Sequence, residues 1–225
     1  MEGVAVIPDP LAAAGLVTRA VRSSTRDGAP TKVAVAHRTY PTGAEDLWSA
    51  LTDAERIPRW FLPVSGDLHV GGRYQLEGNA GGLVERCERP RSFALTWEMG
   101  PAVSWLQVRL VPDGAGTRLE LTHEAPVDPG FWEEFGPGAV GVGWDLALVG
   151  LGLHLASGTA VDPAAAAAFS TSPEGVAFVE RAAAGWAEAA VTDGDEPSGA
   201  RAAAERTTAF YTTVPDGAGE EDTGA

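Results

Sequence analysis

The residues best able to move a proton near neutral pH are four histidines, His37, His69, His123 and His154. None stands in an HExxH or other metal-ligand spacing, and Cys87, the single cysteine, has no second thiol to share a metal or a disulfide. No metal and no cofactor are therefore expected. Gly-Xaa-Ser-Xaa-Gly is absent, and Ser49, Ser65 and Ser104 lack a triad context. Gly71-Gly72 and Gly81-Gly82 read as turn glycines rather than a phosphate loop or dinucleotide fingerprint, and the paired acids Glu133-Glu134 and Glu220-Glu221 read as solvated charges. What is left is His123, ending a strand beside Glu124, and His154, on a long apolar helix. If both faced one cavity they could hydrogen-bond the polar end of a ligand or act as acid and base.

That long helix is expected from about Gly138 to Ser157, with Gly158 placed to cap its end. Val140, Trp144, Leu148, Leu151 and Leu155 make a bulky stripe, and Gly143, Ala147, Gly150 and His154 a small one beside it. An interior glycine costs a helix about 1 kcal/mol relative to alanine. The small stripe thus implies a need for space, either for close backbone approach or for a ligand. Seven tryptophans favour the second use, because aromatic walls are common in apolar pockets.

The elements that must position these residues follow from periodicity. Asp9-Pro10 can open a short helix over Leu11 to Val21, Ser23 to Thr31 reads as a linker, and Val33 to Tyr40 as a strand. Thr42-Gly-Ala-Glu45 has capping-box spacing ahead of Leu47, Trp48 and Leu51, and Asp53 can cap a second short helix carrying Trp60 and Phe61. From Asp67 to Glu124 the period becomes alternating: Leu68, Val70, Tyr74 and Leu76, then a return strand Leu83 to Glu88 whose inward face is open, then Phe93, Leu95 and Trp97, Leu106 to Leu110, and Leu119 to His123. Pro129 starts a short helix ahead of the long one, and Asp162-Pro163, Ser172-Pro173 and Gly199 begin three more. The class is α+β. The expected segments are an N-terminal helix and linker (1–30), a core domain (31–158), a helical extension (159–213) and a disordered acidic tail (214–225).

Charge narrows the partners. The chain carries a formal charge of -15, and residues 160–225 hold 12 acids against three arginines. Phosphate-rich partners would be repelled, so no nucleic acid is expected. The apolar run Ala139 to Ala156 contains Asp145 and His154, which argues against membrane insertion. A lone cysteine and a start broken by two prolines fit a cytoplasmic protein.

Glu45-Asp-Leu-Trp-Ser-Ala-Leu-Thr-Asp53, Trp60-Phe61, Gly71-Gly-Arg-Tyr74, Gly82-Leu-Val84, Pro90, Leu95-Thr-Trp97-Glu98, Gly116-Thr-Arg-Leu119, Leu121-Thr-His123 and Gly141-Val-Gly-Trp144 occur in this order. Together they resemble the SRPBCC superfamily (START-like, polyketide cyclase-like), and within it the group named after the activator of the heat-shock chaperone ATPase, the AHSA type. The likeness covers about residues 31–158. It implies a helix-grip (START-like) fold, a curved antiparallel sheet wrapped around the long C-terminal helix with a deep cavity between them. It implies no single reaction. The leading expectation is a binder of a small hydrophobic or aromatic molecule, lined by Trp60, Tyr74, Leu95, Trp97, Leu121, Trp144, Ala147 and Leu151, with His123 and His154 as polar anchors. Two alternatives stand beside it: a cyclase, aromatase or dehydratase using a pocket histidine, and an interaction module, a chaperone partner or homodimer, using exposed Trp105, Phe131 or Trp132.

Overall fold

The computed structural model describes residues 9–213. The expected disordered tail, 214–225, lies outside the described residues, as do the first eight residues of the expected N-terminal segment.

One eight-stranded antiparallel sheet forms the frame. Its strands are β1 (Thr18–Arg26), β2 (Ala29–Tyr40), β3 (Val64–Gly66), β4 (Arg73–Leu76), β5 (Gly81–Glu88), β6 (Ser92–Met99), β7 (Ala102–Asp113) and β8 (Gly116–Pro126). Their spatial order is β1-β2-β8-β7-β6-β5-β4-β3. The alternation read in the sequence is what buries one face. On β8, Thr117, Leu119, Leu121 and His123 are buried while Arg118, Glu120 and Thr122 point the other way. Leu106, Val108 and Leu110 do the same on β7. On β5 the register shifts between Val84 and Arg86, a bulge that answers the question of its inward face: Val84 is buried before it, and Cys87 reaches the inner side after it.

Seven α-helices stand beside the sheet among the described residues: α1 (Pro10–Gly15), α2 (Ala44–Thr52), α3 (Pro129–Phe135), α4 (Gly138–Ser157), α5 (Pro163–Phe169), α6 (Pro173–Asp193) and α7 (Pro197–Thr212). Proline at the first turn follows a capping aspartate or serine in α1, α3, α5 and α6, the arrangement that pre-sets the entering φ and satisfies an orphan N–H. Helix α2 departs from its expected capping box. Its N-cap is Gly43 with no side-chain cap bond, and Thr42 Oγ1 donates instead to Asp46 Oδ2 at 2.8 Å. Leu68 and Val70, expected on a strand, sit exposed in the connection to β4.

The N-terminal expectation needs correction. Helix α1 stops at Gly15, and residues assigned to the helix end and linker form β1 and its turn. Asp27 and Gly28 both have positive φ, 52° and 82°, the two-residue turn whose twist suits a hairpin. The inward face of β1 carries only Arg19 and Val21, and α6 covers them. A strand with so little apolar content leaves almost no alternation to read. Its companion helix lies 150 residues further on in the sequence, so the two ends of the chain close one corner of the molecule together.

Helix α4 is buried on several sides at once, as expected of a helix apolar around its whole circumference. Its glycines are contact points. A methyl group on Gly141 would overlap the Trp186 indole of α6, and one on Gly138 would come within 2.7 Å of Thr207 Oγ1 on α7. At Gly143 it would stand 2.9 Å from the Tyr211 hydroxyl, and at Gly150 2.8 Å from the Trp60 carbonyl. The small stripe therefore serves close approach, and of its members only Ala147 borders open space. Asp145, one turn beyond Gly141, accepts from Arg19 Nε and Trp186 Nε1, both at 2.9 Å, so one carboxylate ties β1 and α6 to the core.

Candidate functional site: an apolar cavity under the long helix

Between α4 and the concave side of the sheet the side chains leave a cavity of about 140 Å³. Leu106 and Val108 of β7 and Leu119 and Leu121 of β8 supply its floor, because those strands present every second residue inward. Phe93, Leu95 and Trp97 of β6 and Tyr74 and Leu76 of β4 form the far wall, and Trp144, Ala147 and Leu148 of α4 the roof. The segment after α2, with its 3₁₀ turn Ile57–Arg59, brings in Trp60 and Phe61. Leu68 and Cys87, both exposed, mark the rim.

The rings are arranged in a corner. Trp60 stacks on Phe61 (centroids 5.4 Å apart, planes at 23°), and Phe61 on Trp144 (6.2 Å, 26°). Trp97 meets Trp144 edge-on at 5.0 Å and 62°. The polar tips of these residues point elsewhere. Trp60 Nε1 donates to the Ala50 carbonyl at 2.9 Å, and the Tyr74 hydroxyl to the Thr96 carbonyl at 2.8 Å. Burial raises the Tyr74 pKa far above that of an ordinary phenol, so this hydroxyl keeps its proton. Thr52 Oγ1 donates to the Trp48 carbonyl at 2.8 Å. Among the described residues, the lining holds no charged side chain and no histidine.

Seven of the ten residues singled out in the sequence border this cavity: Trp60, Tyr74, Leu95, Trp97, Leu121, Trp144 and Ala147. The other three stand outside its lining. Leu151 is fully buried in the core. His154 Nδ1 lies 2.7 Å from the Thr159 carbonyl, and its Nε2 3.5 Å from Arg56. His123 sits behind Trp144. An indole nitrogen can only donate, so the 3.0 Å contact from Trp144 Nε1 makes His123 Nδ1 the unprotonated nitrogen. The proton is then on Nε2, which donates to Ser104 Oγ at 2.8 Å, while Ser104 donates to the Trp97 carbonyl at 3.0 Å. Every position in this relay is used, and burial lowers the His123 pKa to about 4, which keeps the ring neutral. The histidine thus acts as a brace between two cavity walls. The sequence reading missed Phe61, Phe93, Leu106, Val108, Leu119 and Leu148, although the alternation on β6 to β8 places the four strand residues among them, Phe93, Leu106, Val108 and Leu119, on the same face as Leu121.

A family model described as Activator of Hsp90 ATPase homolog 1-like protein matches residues 41–155, just over half of the chain. The chain belongs to that family. This AHSA1-type protein is therefore an SRPBCC-superfamily member with the helix-grip fold. CalU16 from Micromonospora echinospora is 32% identical in its crystal structure, with a TM-score of 0.61 over 77% of this chain and 97% of CalU16. In its solution structure it is 33% identical, with a TM-score of 0.65 over 79% and 96%. That coverage is longer than residues 1–155 together, so the likeness to CalU16 reaches beyond the AHSA1-type core into the helical extension. MLL2253 from Mesorhizobium loti is 24% identical over 55% of this chain and 96% of its own, with a TM-score of 0.49. No curated protein matches the chain.

Proposed function

We propose that this AHSA1-type protein binds a small hydrophobic molecule in the cavity beneath α4, without transforming it, in the cytoplasm. The observation that carries this reading is unfilled space under the long helix, open at one rim and walled almost entirely by carbon. An apolar void of about 150 Å³ in a well-packed protein stays dry and accepts molecules of the size of benzene. A catalytic reading would need an acid, a base or a nucleophile within that space; both candidate histidines are engaged outside its lining, and the one thiol, Cys87, stands at the exposed rim. The aromatic run of half-buried Phe135 between exposed Phe131 and Phe210, on α3 and α7, lies outside the cavity and is separate from this reading.

Native mass spectrometry of protein purified from its own host tests the proposal. The expected spectrum shows a small-molecule adduct that disappears on denaturation and partitions into organic solvent. Bare chain, both as isolated and after incubation with small apolar compounds, would remove the proposal.

A further inference from the structure

Granting that the cavity binds an apolar molecule, we infer its chemical class: a neutral, planar, singly ringed or small fused aromatic, gripped by ring faces and edges with no hydrogen bond from the wall. Three observations lead there. The first is the spent polar capacity of the lining. The donor hydrogens of Trp60, Tyr74, Thr52 and Trp144 go to Ala50, Thr96, Trp48 and His123, so a ligand carboxylate would find no cation and, of side-chain donors, only the weak thiol of Cys87 at the exposed rim. A carboxylate or an amine entering would lose its hydration with little in return, and the -15 charge of the chain further opposes an anion.

The second observation is the corner made by Trp144 and Trp97. One ring presents a face beside the nearly parallel Trp60–Phe61 stack, and the other stands at 62° to it. Aromatic rings favour offset-stacked and edge-to-face contacts over other arrangements, and a flat ring seated in this corner can make both kinds. A puckered aliphatic ring or a flexible chain of equal volume gains only dispersion there. The third observation is rigidity. The His123–Ser104 relay ties Trp144 to the backbone of Trp97, so the angle between the two walls is set before a ligand arrives. Preorganised walls favour a rigid guest of matching shape over a flexible one that must be ordered on entry.

The test is a titration of the full chain, followed by nitrogen–proton NMR of the tryptophan indoles, with four probes of nearly equal size: toluene, methylcyclohexane, benzoate and benzylammonium. Toluene is expected to bind tightest, at least tenfold better than methylcyclohexane and at least 100-fold better than either ion, with the Trp97 and Trp144 indole signals shifting most. Equal affinity for methylcyclohexane overturns planarity, and an ion binding within tenfold of toluene overturns neutrality, while either result leaves the cavity reading standing. Failure of all four to bind removes the cavity reading and this inference with it.

Discussion

Replacing Asp145 with alanine is expected to cost about 3–5 kcal/mol of unfolding free energy, read from urea denaturation at pH 7. The carboxylate is fully buried and one of its oxygens holds two donors, Arg19 Nε of β1 and Trp186 Nε1 of α6. Its removal strands a guanidinium whose side chain is only 9% exposed. It also leaves a buried indole N–H unpartnered, which alone costs about 1–3 kcal/mol. Arg19 keeps its bonds to the Val17 and Ala14 carbonyls, so its charge stays buried and cannot relax outward easily. The control is the pair Asp145→Leu with Arg19→Met. Replacing both charges by apolar groups of similar volume should recover the part of the loss that comes from the isolated guanidinium, leaving about 1–3 kcal/mol for the unpartnered Trp186 indole. A loss below about 1 kcal/mol for Asp145→Ala would mean that this junction does not hold the extension to the core.

The second large effect concerns pH. In the folded chain His123 titrates at about 4, against 6.5 for an exposed histidine, because it is buried and its Nδ1 is already accepting from Trp144. Between those values the unfolded chain takes up a proton that the folded chain refuses. The stability tied to this ring is therefore complete above pH 6.5, falls as the pH drops, and is gone below about 4. The difference integrates to about 3 kcal/mol, most of it reached by pH 4.5. Asp145 contributes with the opposite sign. Burial raises its pKa from 3.8 to about 6 against the pull of Arg19, so the pH-dependent part of the stability it carries is largest at low pH and declines as pH rises to 6, leaving above that the ion pair that Asp145→Ala removes. The two trends oppose each other in the wild type, which is why the measurement compares wild type with His123→Gln. A glutamine carbonyl can still accept from Trp144 but does not titrate. The stability difference between the two proteins should shift by about 2.5 kcal/mol against the wild type from pH 7.5 to 4.5. A constant difference across that range would show that His123 takes up its proton as readily in the folded protein as in the unfolded chain.

The sheet from β6 to β8 was readable because two-residue alternation and a buried face coincide there, and the same alternation brought Leu95, Trp97 and Leu121 to the cavity. β1 was not readable, since its inward positions are an arginine paired with Asp145 of α4 and a single valine, with α6 packed over the strand. The signal that could have found it was Asp27-Gly28, the dipeptide most suited to a two-residue hairpin turn, standing where a linker was expected. Thr42 had the spacing of a cap but spends its hydroxyl on Asp46. Such a choice between neighbouring acceptors depends on where the chain enters the helix, which spacing does not reveal. The glycines of α4 announced a need for space, with ligand room the favoured use, while their service as contact points, to Trp186 at Gly141 and the Trp60 carbonyl at Gly150, required the fold. His123 was expected as a polar anchor within the cavity; it stands behind Trp144 instead, and its role as a brace depends on a tautomer that only the positions of Trp144 and Ser104 determine.

The central claim is that the open space beside Ala147 is where a ligand sits. Ala147→Leu extends a side chain from the roof into that space without introducing polarity or lowering helix propensity appreciably. The measurement is the thermal stability of wild type and variant, each with and without toluene. Wild type should gain stability with ligand, about 2.7 kcal/mol at a concentration 100-fold above the dissociation constant. The variant should fold cooperatively and gain none. An equal gain in both proteins would place the ligand elsewhere and contradict the assignment of the cavity as the binding site.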